Sequence, residues 1–132
     1  MPAPCHSVDT FVHLGPEGSA VALPVDDSFW ERLAAGGFDH LGPGRLVSSY
    51  AFSADWTNWE MHPAGEEVVV LLSGAMEFML EAANGGHSTV ALSEPGQFVL
   101  VPRGAWHTAN IAGAATALFI TPGEGTEHRP RS

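Results

Sequence analysis

Apolar residues along this chain come in short bursts, interrupted at close intervals by glycine, proline, asparagine or serine. Met76, Phe78 and Leu80 alternate with Glu77 and Glu81, the period-two pattern of a strand with one buried face. The run VVVLL at 68–72 has no alternation and predicts a strand covered on both faces. From Arg45 onward the pattern predicts strands at 46–52, 57–62, 68–72, 75–80, 88–92, 97–101, 107–112 and 115–121. Ser73-Gly74 and Asn84-Gly85-Gly86 are hairpin signals, and SEPG at 93–96 and PRG at 102–104 are further turns. Upstream, strands at 8–13 and 20–23 flank the turn GPEGS. A short helix starts at Asp26, Asp27 or Ser28 and stops at Gly36-Gly37, offering Phe29, Trp30 and Leu33 for packing on a barrel wall.

Short strands with no long helix between them predict an all-β fold, a double-sheet jelly-roll barrel with a short N-terminal helix. The expected organisation is an N-terminal segment at 1–44, whose strands and helix pack on the barrel, the β-barrel itself at 45–121, and a flexible tail at 122–132. Residues 1–7 read as a loose arm. No internal repeat and no second domain are discernible.

Length and composition narrow the function classes. With 132 residues, 45% of them apolar, the chain is one globular domain with a real core. A net charge of −10 with five Lys plus Arg supplies no basic surface for nucleic acid or for an anionic membrane. Cys5 is the only cysteine, so no intrachain disulfide forms. The start MPAPCHSVDT lacks the basic and apolar regions of a signal peptide, and the apolar run Ile111 to Ile120 is too short for a helix across a bilayer. A soluble, cytoplasmic protein is the expectation. No nucleophile elbow, phosphate loop or dinucleotide fingerprint is present.

The candidate chemistry lies in two segments, WEMHPAGEEVVVLLSG (59–74) and PGQFVLVPRGAWHTAN (95–110). Glu60 and His62 are two apart on a predicted strand, so they share a face. Glu67 follows a Pro-Ala-Gly turn, and His107 opens the strand after Pro-Arg-Gly. Imidazole and carboxylate are ligands for Zn²⁺, Mn²⁺, Fe²⁺ and Ni²⁺. A sheet curled into a barrel brings these four side chains to one point. Glu67 precedes an apolar run, an expensive place for an unpaired carboxylate; neighbouring Glu66 is expected to face solvent. Asn58 shares the face of Glu60 and His62, and Trp56 and Phe119 are candidates to line the pocket. Trp59 and Trp106 fall on the opposite face and are read as packing residues. His6, His13, His40, His87 and His128 lack partners at ligand spacing.

These two segments resemble the paired motifs of the cupin superfamily, G-x5-H-x-H-x3,4-E-x6-G and G-x5-P-x-G-x2-H-x3-N. His62 takes the place of the second His of the first motif, Glu67 that of its Glu, and Gly74 that of its closing Gly. Gly96, Pro102, Gly104 and His107 match the second motif. Glu60 stands where the first His is usual, Ala54 where the opening Gly is usual, and Asn110 comes one residue early, with Ile111 in the Asn position.

The resemblance, to small single-domain cupins in particular, implies one divalent transition metal (iron, zinc, manganese or nickel) held inside the barrel. Either Glu60 joins His62, Glu67 and His107 as a fourth ligand, or those three form the set and Glu60 acts beside them as a catalytic base or as an outer group supporting the ligands. The implied function is a metal-dependent enzyme acting on a small organic molecule, of the oxygenase or the isomerase and lyase type. A module that binds a sugar or metabolite around a structural metal is the alternative, and a barrel without metal ranks third. A homodimer is the oligomeric state the resemblance suggests.

Overall fold

The computed structural model describes residues 3–132, so residues 1 and 2 of the expected arm lie outside the described residues. Eleven strands and one α-helix follow in the order β1 (Thr10–Leu14), β2 (Ala20–Pro24), α1 (Phe29–Ala34), β3 (Arg45–Phe52), β4 (Asn58–Met61), β5 (Glu67–Gly74), β6 (Met76–Glu81), β7 (His87–Leu92), β8 (Phe98–Val101), β9 (His107–Asn110), β10 (Ala115–Thr121) and β11 (Glu127–Pro130). They form two antiparallel sheets, β2-β1-β3-β10-β5-β8 and β11-β4-β9-β6-β7. This is the expected all-β jelly roll with a short helix near its N-terminus.

The core lies between the inward faces of the two sheets. Val69 and Leu71 of β5, Phe78 of β6, Ala109 of β9 and Ala117 of β10 are fully buried there. The first sheet continues past the barrel through β1 and β2, and α1 covers the extension. Phe29 of α1 is fully buried with Phe11 and Leu23, its ring edge-on to Phe11 at 5.3 Å. Trp30 and Leu33 stay substantially exposed, and Trp30 stacks on Tyr50 of β3. The Asp26 carboxylate organises the helix start. It accepts from the Ser28 amide at 2.9 Å and the Ser28 hydroxyl at 2.8 Å, and these bonds hold its pKa below the usual carboxylate range.

Two expectations need correction. The VVVLL strand is covered on one face only: Val69 and Leu71 are buried, whereas Val68 and Val70 are half-buried and Leu72 is 44% exposed. The segment 122–132 is not a loose tail throughout, because β11 pairs with β4 over Glu127↔Met61 to Pro130↔Asn58. Cations anchor it. The Arg129 guanidinium lies 5.3 Å from the Trp59 ring and 4.6 Å from the Trp106 ring, and pairs with Glu81. Arg131 donates to the Trp56 carbonyl at 2.9 Å and to Asn110 Oδ1 at 2.7 Å. Trp59 and Trp106 therefore pack outside the second sheet, against the returning chain. No helix among the described residues is long and apolar enough to cross a membrane.

Candidate metal centre

Local geometry delivers the four polar side chains to one end of the barrel. His62 lies just beyond β4, Glu67 opens β5 and His107 opens β9. Glu60 pairs with His107 across the β4–β9 ladder. Gly104, at φ 75°, lets the Pro-Arg-Gly turn close, and its amide donates to the His62 carbonyl at 3.0 Å. That bond ties the turn before His107 directly to His62.

His62, Glu67 and His107 are almost fully buried. His62 Nε2 lies 3.3 Å from Glu67 Oε2, and His107 Nε2 lies 3.2 Å from Glu67 Oε1. Donor atoms of Glu60, His62 and His107 fall within 4.8 Å of one another. Glu60 is looser, with its side chain 29% exposed and Oε1 4.0 Å from His128 Nε2. Glu66 faces solvent.

The hydrogen bonds define which ring nitrogens carry protons. His107 Nδ1 meets the Ala105 carbonyl at 3.1 Å, and a carbonyl only accepts, so Nδ1 is the donor. His62 Nδ1 meets Thr126 Oγ1 at 2.8 Å, while that hydroxyl donates its proton to the Gly123 carbonyl at 2.8 Å. Thr126 Oγ1 is therefore an acceptor toward the ring, and His62 Nδ1 is also protonated. In the neutral rings both Nε2 atoms then present bare lone pairs toward Glu67.

Those Nε2 atoms and Glu67 Oε1 are buried without a hydrogen-bond partner. Three lone-pair groups packed together without a cation is unfavourable. Protons can supply the positive charge. Burial pushes the Glu67 carboxyl up, but hydrogen bonds and charge interactions with His107 and His62 outweigh it and hold the pKa at about 2. Burial lowers His107, and its bond and charge interaction with Glu67 reverse that to a net rise. A metal ion meets the same demand. Donors 3.2–3.3 Å apart suit an ion at about 2.0–2.3 Å from each, the range of nitrogen and oxygen ligands to small divalent cations. The residues fit the implied metal.

Of the other candidate residues, Phe119 is buried and Trp56 is half-buried in an aromatic group with Phe52 and Phe78. Trp56 meets the His107 ring edge-on at 6.2 Å, and its Nε1 is buried without a partner. Asn58 is exposed, and its carbonyl accepts from Thr108 Oγ1. Sequence reasoning missed Thr121, Thr126, His128 and Tyr50. Thr121 was within reach, since it shares the inward face of β10 with Phe119. Its hydroxyl donates to Glu67 Oε2 at 2.6 Å. Burial pushes the Tyr50 hydroxyl up to about 12, with the Glu60 and Glu67 charges adding and a bond to Ser48 opposing, so it stays a neutral donor.

No protein-family model and no curated protein sequence matches the chain. Solved structures do match its fold. An oxalate oxidase superposes with a TM-score of 0.54 at 17% identity, over 62% of this chain and 44% of that one. A cupin-2 domain protein from Shewanella frigidimarina superposes with a TM-score of 0.50 at 15% identity, over 59% of this chain and 70% of that one. The fold is that of the cupins. A third cupin-like match is hydroquinone 1,2-dioxygenase from Sphingomonas sp. TTNP3, at a TM-score of 0.50 and 19% identity over 60% of each chain. The superposed part thus spans under half of the oxalate oxidase. Within this cupin barrel Glu60, His62 and His107 form a group placed to hold a metal ion.

Proposed function

We propose that this cupin is a metal-dependent enzyme acting on a small organic molecule, with His62, Glu67 and His107 as the metal ligands. The observation that carries the reading is the convergence of the two Nε2 atoms and a Glu67 carboxylate oxygen, all buried without a hydrogen-bond partner. A metal bound there would supply open coordination positions, for oxygen chemistry if it is iron and for Lewis-acid activation of a carbonyl or enol if it is zinc, manganese or nickel.

The chain's own groups fill the remaining roles. Glu60, beside the ligands yet partly exposed, takes up and returns a proton, with His128 next to it on the solvent side. Tyr50 offers a hydroxyl kept neutral by burial, with the Glu60 and Glu67 charges acting in the same direction. Oxygenase chemistry and isomerase or lyase chemistry both suit this set, and the metal divides them.

The experiment is anaerobic loading with Fe²⁺ followed by nitric oxide, read by EPR. A ferrous–nitrosyl signal is expected, because three protein ligands leave positions open. Iron that binds tightly but gives no such signal marks a closed, structural site and the non-catalytic binding module.

A second copy of the chain covers the outer face of the first sheet in this reading. Rows Leu118–Val70–Phe98 and Ile120–Val68–Leu100 run across β10, β5 and β8. Phe98 is 58% exposed and Leu100 is 56% exposed, on a strand at the sheet edge. These rows carry no charge, so two chains of net charge −10 can meet here without facing carboxylates.

A further inference from the structure

The segment from Thr121, the last residue of β10, to Thr126, just before β11, contributes two hydroxyls to the site with opposite hydrogen-bonding roles. Thr121 Oγ1 donates to Glu67 Oε2 at 2.6 Å. Thr126 Oγ1 accepts from His62 Nδ1 at 2.8 Å, because its own proton is committed to the Gly123 carbonyl. We propose that this segment is a positioning element for the metal centre: Thr126 sets the tautomer and ring orientation of His62, and Thr121 sets the rotation of the Glu67 carboxylate.

The two histidines differ in how they are braced. His107 leans on a backbone carbonyl, which no side-chain substitution removes. His62 leans on one side-chain hydroxyl, so its orientation depends on residue 126. A hydrogen bond at Nδ1 leaves Nε2 to face the cation and raises its basicity, and loss of such an outer partner typically costs 10–100-fold in metal affinity, roughly speaking. β11 holds the segment in place, since its pairing with β4 begins at Glu127, directly after Thr126.

The proposal rests on the metal reading for its consequence, but the tautomer can be tested without it. Wild type, Thr126→Val, Thr126→Ser and Thr121→Val are compared in two measurements. Zn²⁺ affinity is measured by competition with a chelating dye. The protonated nitrogen of His62 is read from long-range ¹H–¹⁵N NMR, with Zn²⁺ bound and in metal-free protein at about pH 9, where free imidazole is neutral.

Thr126→Val should weaken Zn²⁺ by about 10–100-fold, and Thr126→Ser should recover most of it. The His62 Nδ1–H tautomer should dominate in wild type and Thr126→Ser and lose its dominance in Thr126→Val. Thr121→Val should weaken Zn²⁺ and leave the His62 tautomer unchanged. A Thr126→Val protein with wild-type affinity and tautomer overturns the proposal. A wild type that binds no Zn²⁺ yet shows the tautomer change in Thr126→Val overturns the metal reading and keeps the role of Thr126 in orienting His62.

Discussion

Glu60 and His107 face one another across the β4–β9 ladder of one sheet, while Glu67 reaches the same imidazole from the other sheet. The two carboxylates approach His107 from different layers of the barrel. Glu67 is buried between both histidines, and Glu60 is partly exposed beside His128. Glu67→Gln should therefore weaken metal binding by more than about 100-fold, beyond the loss of an outer partner. Glu60→Gln should keep affinity within about tenfold and impair turnover instead. Chelator competition on the two variants checks this; equal losses would make Glu60 a ligand of the same rank.

The pH dependence of metal-free protein follows from the two shifted groups. Glu67 is held at about 2 against an ordinary 4.5, so its contribution is present above the ordinary value and lost as pH falls through the folded one. His107 is raised above 6.5, so its contribution is complete below 6.5 and lost as pH rises through the folded value. Urea unfolding of metal-free protein should show these two groups contributing most between about pH 4.5 and 6.5. Metal should reverse the alkaline limb, because binding displaces protons from the imidazoles.

Two motif glycines should respond differently to alanine. At Gly74 (φ 75°) an added Cβ would lie 2.1 Å from the Ala114 carbonyl oxygen, a clash with backbone. At Gly104 the φ is also 75°, but the space around an added Cβ is open. Gly74→Ala should cost about 2–4 kcal/mol and Gly104→Ala about 1 kcal/mol in equilibrium denaturation.

The exposed rows of the first sheet give a test of association. Phe98→Glu with Leu100→Glu places two carboxylates on the outer face without touching the core residues Val99 and Val101. Light scattering after size exclusion should give a dimer for the wild type and a monomer for the double variant, with metal affinity retained. A wild-type monomer would leave these rows without the proposed cover.

Much of the barrel was legible because alternation is a local signal. The strand predicted at 115–121 matches β10, and the one at 75–80 matches β6 within a residue at either end. His62, Glu67 and His107 were legible through their places beside the turn at Gly65 and the turn at Gly104. The C-terminal strand was not, because TPGEGTEHRPRS has no apolar alternation. Arg129 holds it between two indoles distant in sequence. The outer face of VVVLL misled for a related reason: its apolar residues imply a cover on both faces, whereas among the described residues Val68 and Val70 are only half-buried and Leu72 is exposed. Thr126 carries no spacing signal, since its role depends on where its own proton goes.

Elemental analysis of untagged protein, before and after anaerobic reconstitution, bears most directly on the buried His62–Glu67–His107 cluster. Close to one transition-metal ion per wild-type chain, lost in His107→Ala, is the expected result. Wild-type protein that stays metal-free after reconstitution with iron, manganese, nickel and zinc would contradict it, and protons alone would then neutralise the cluster.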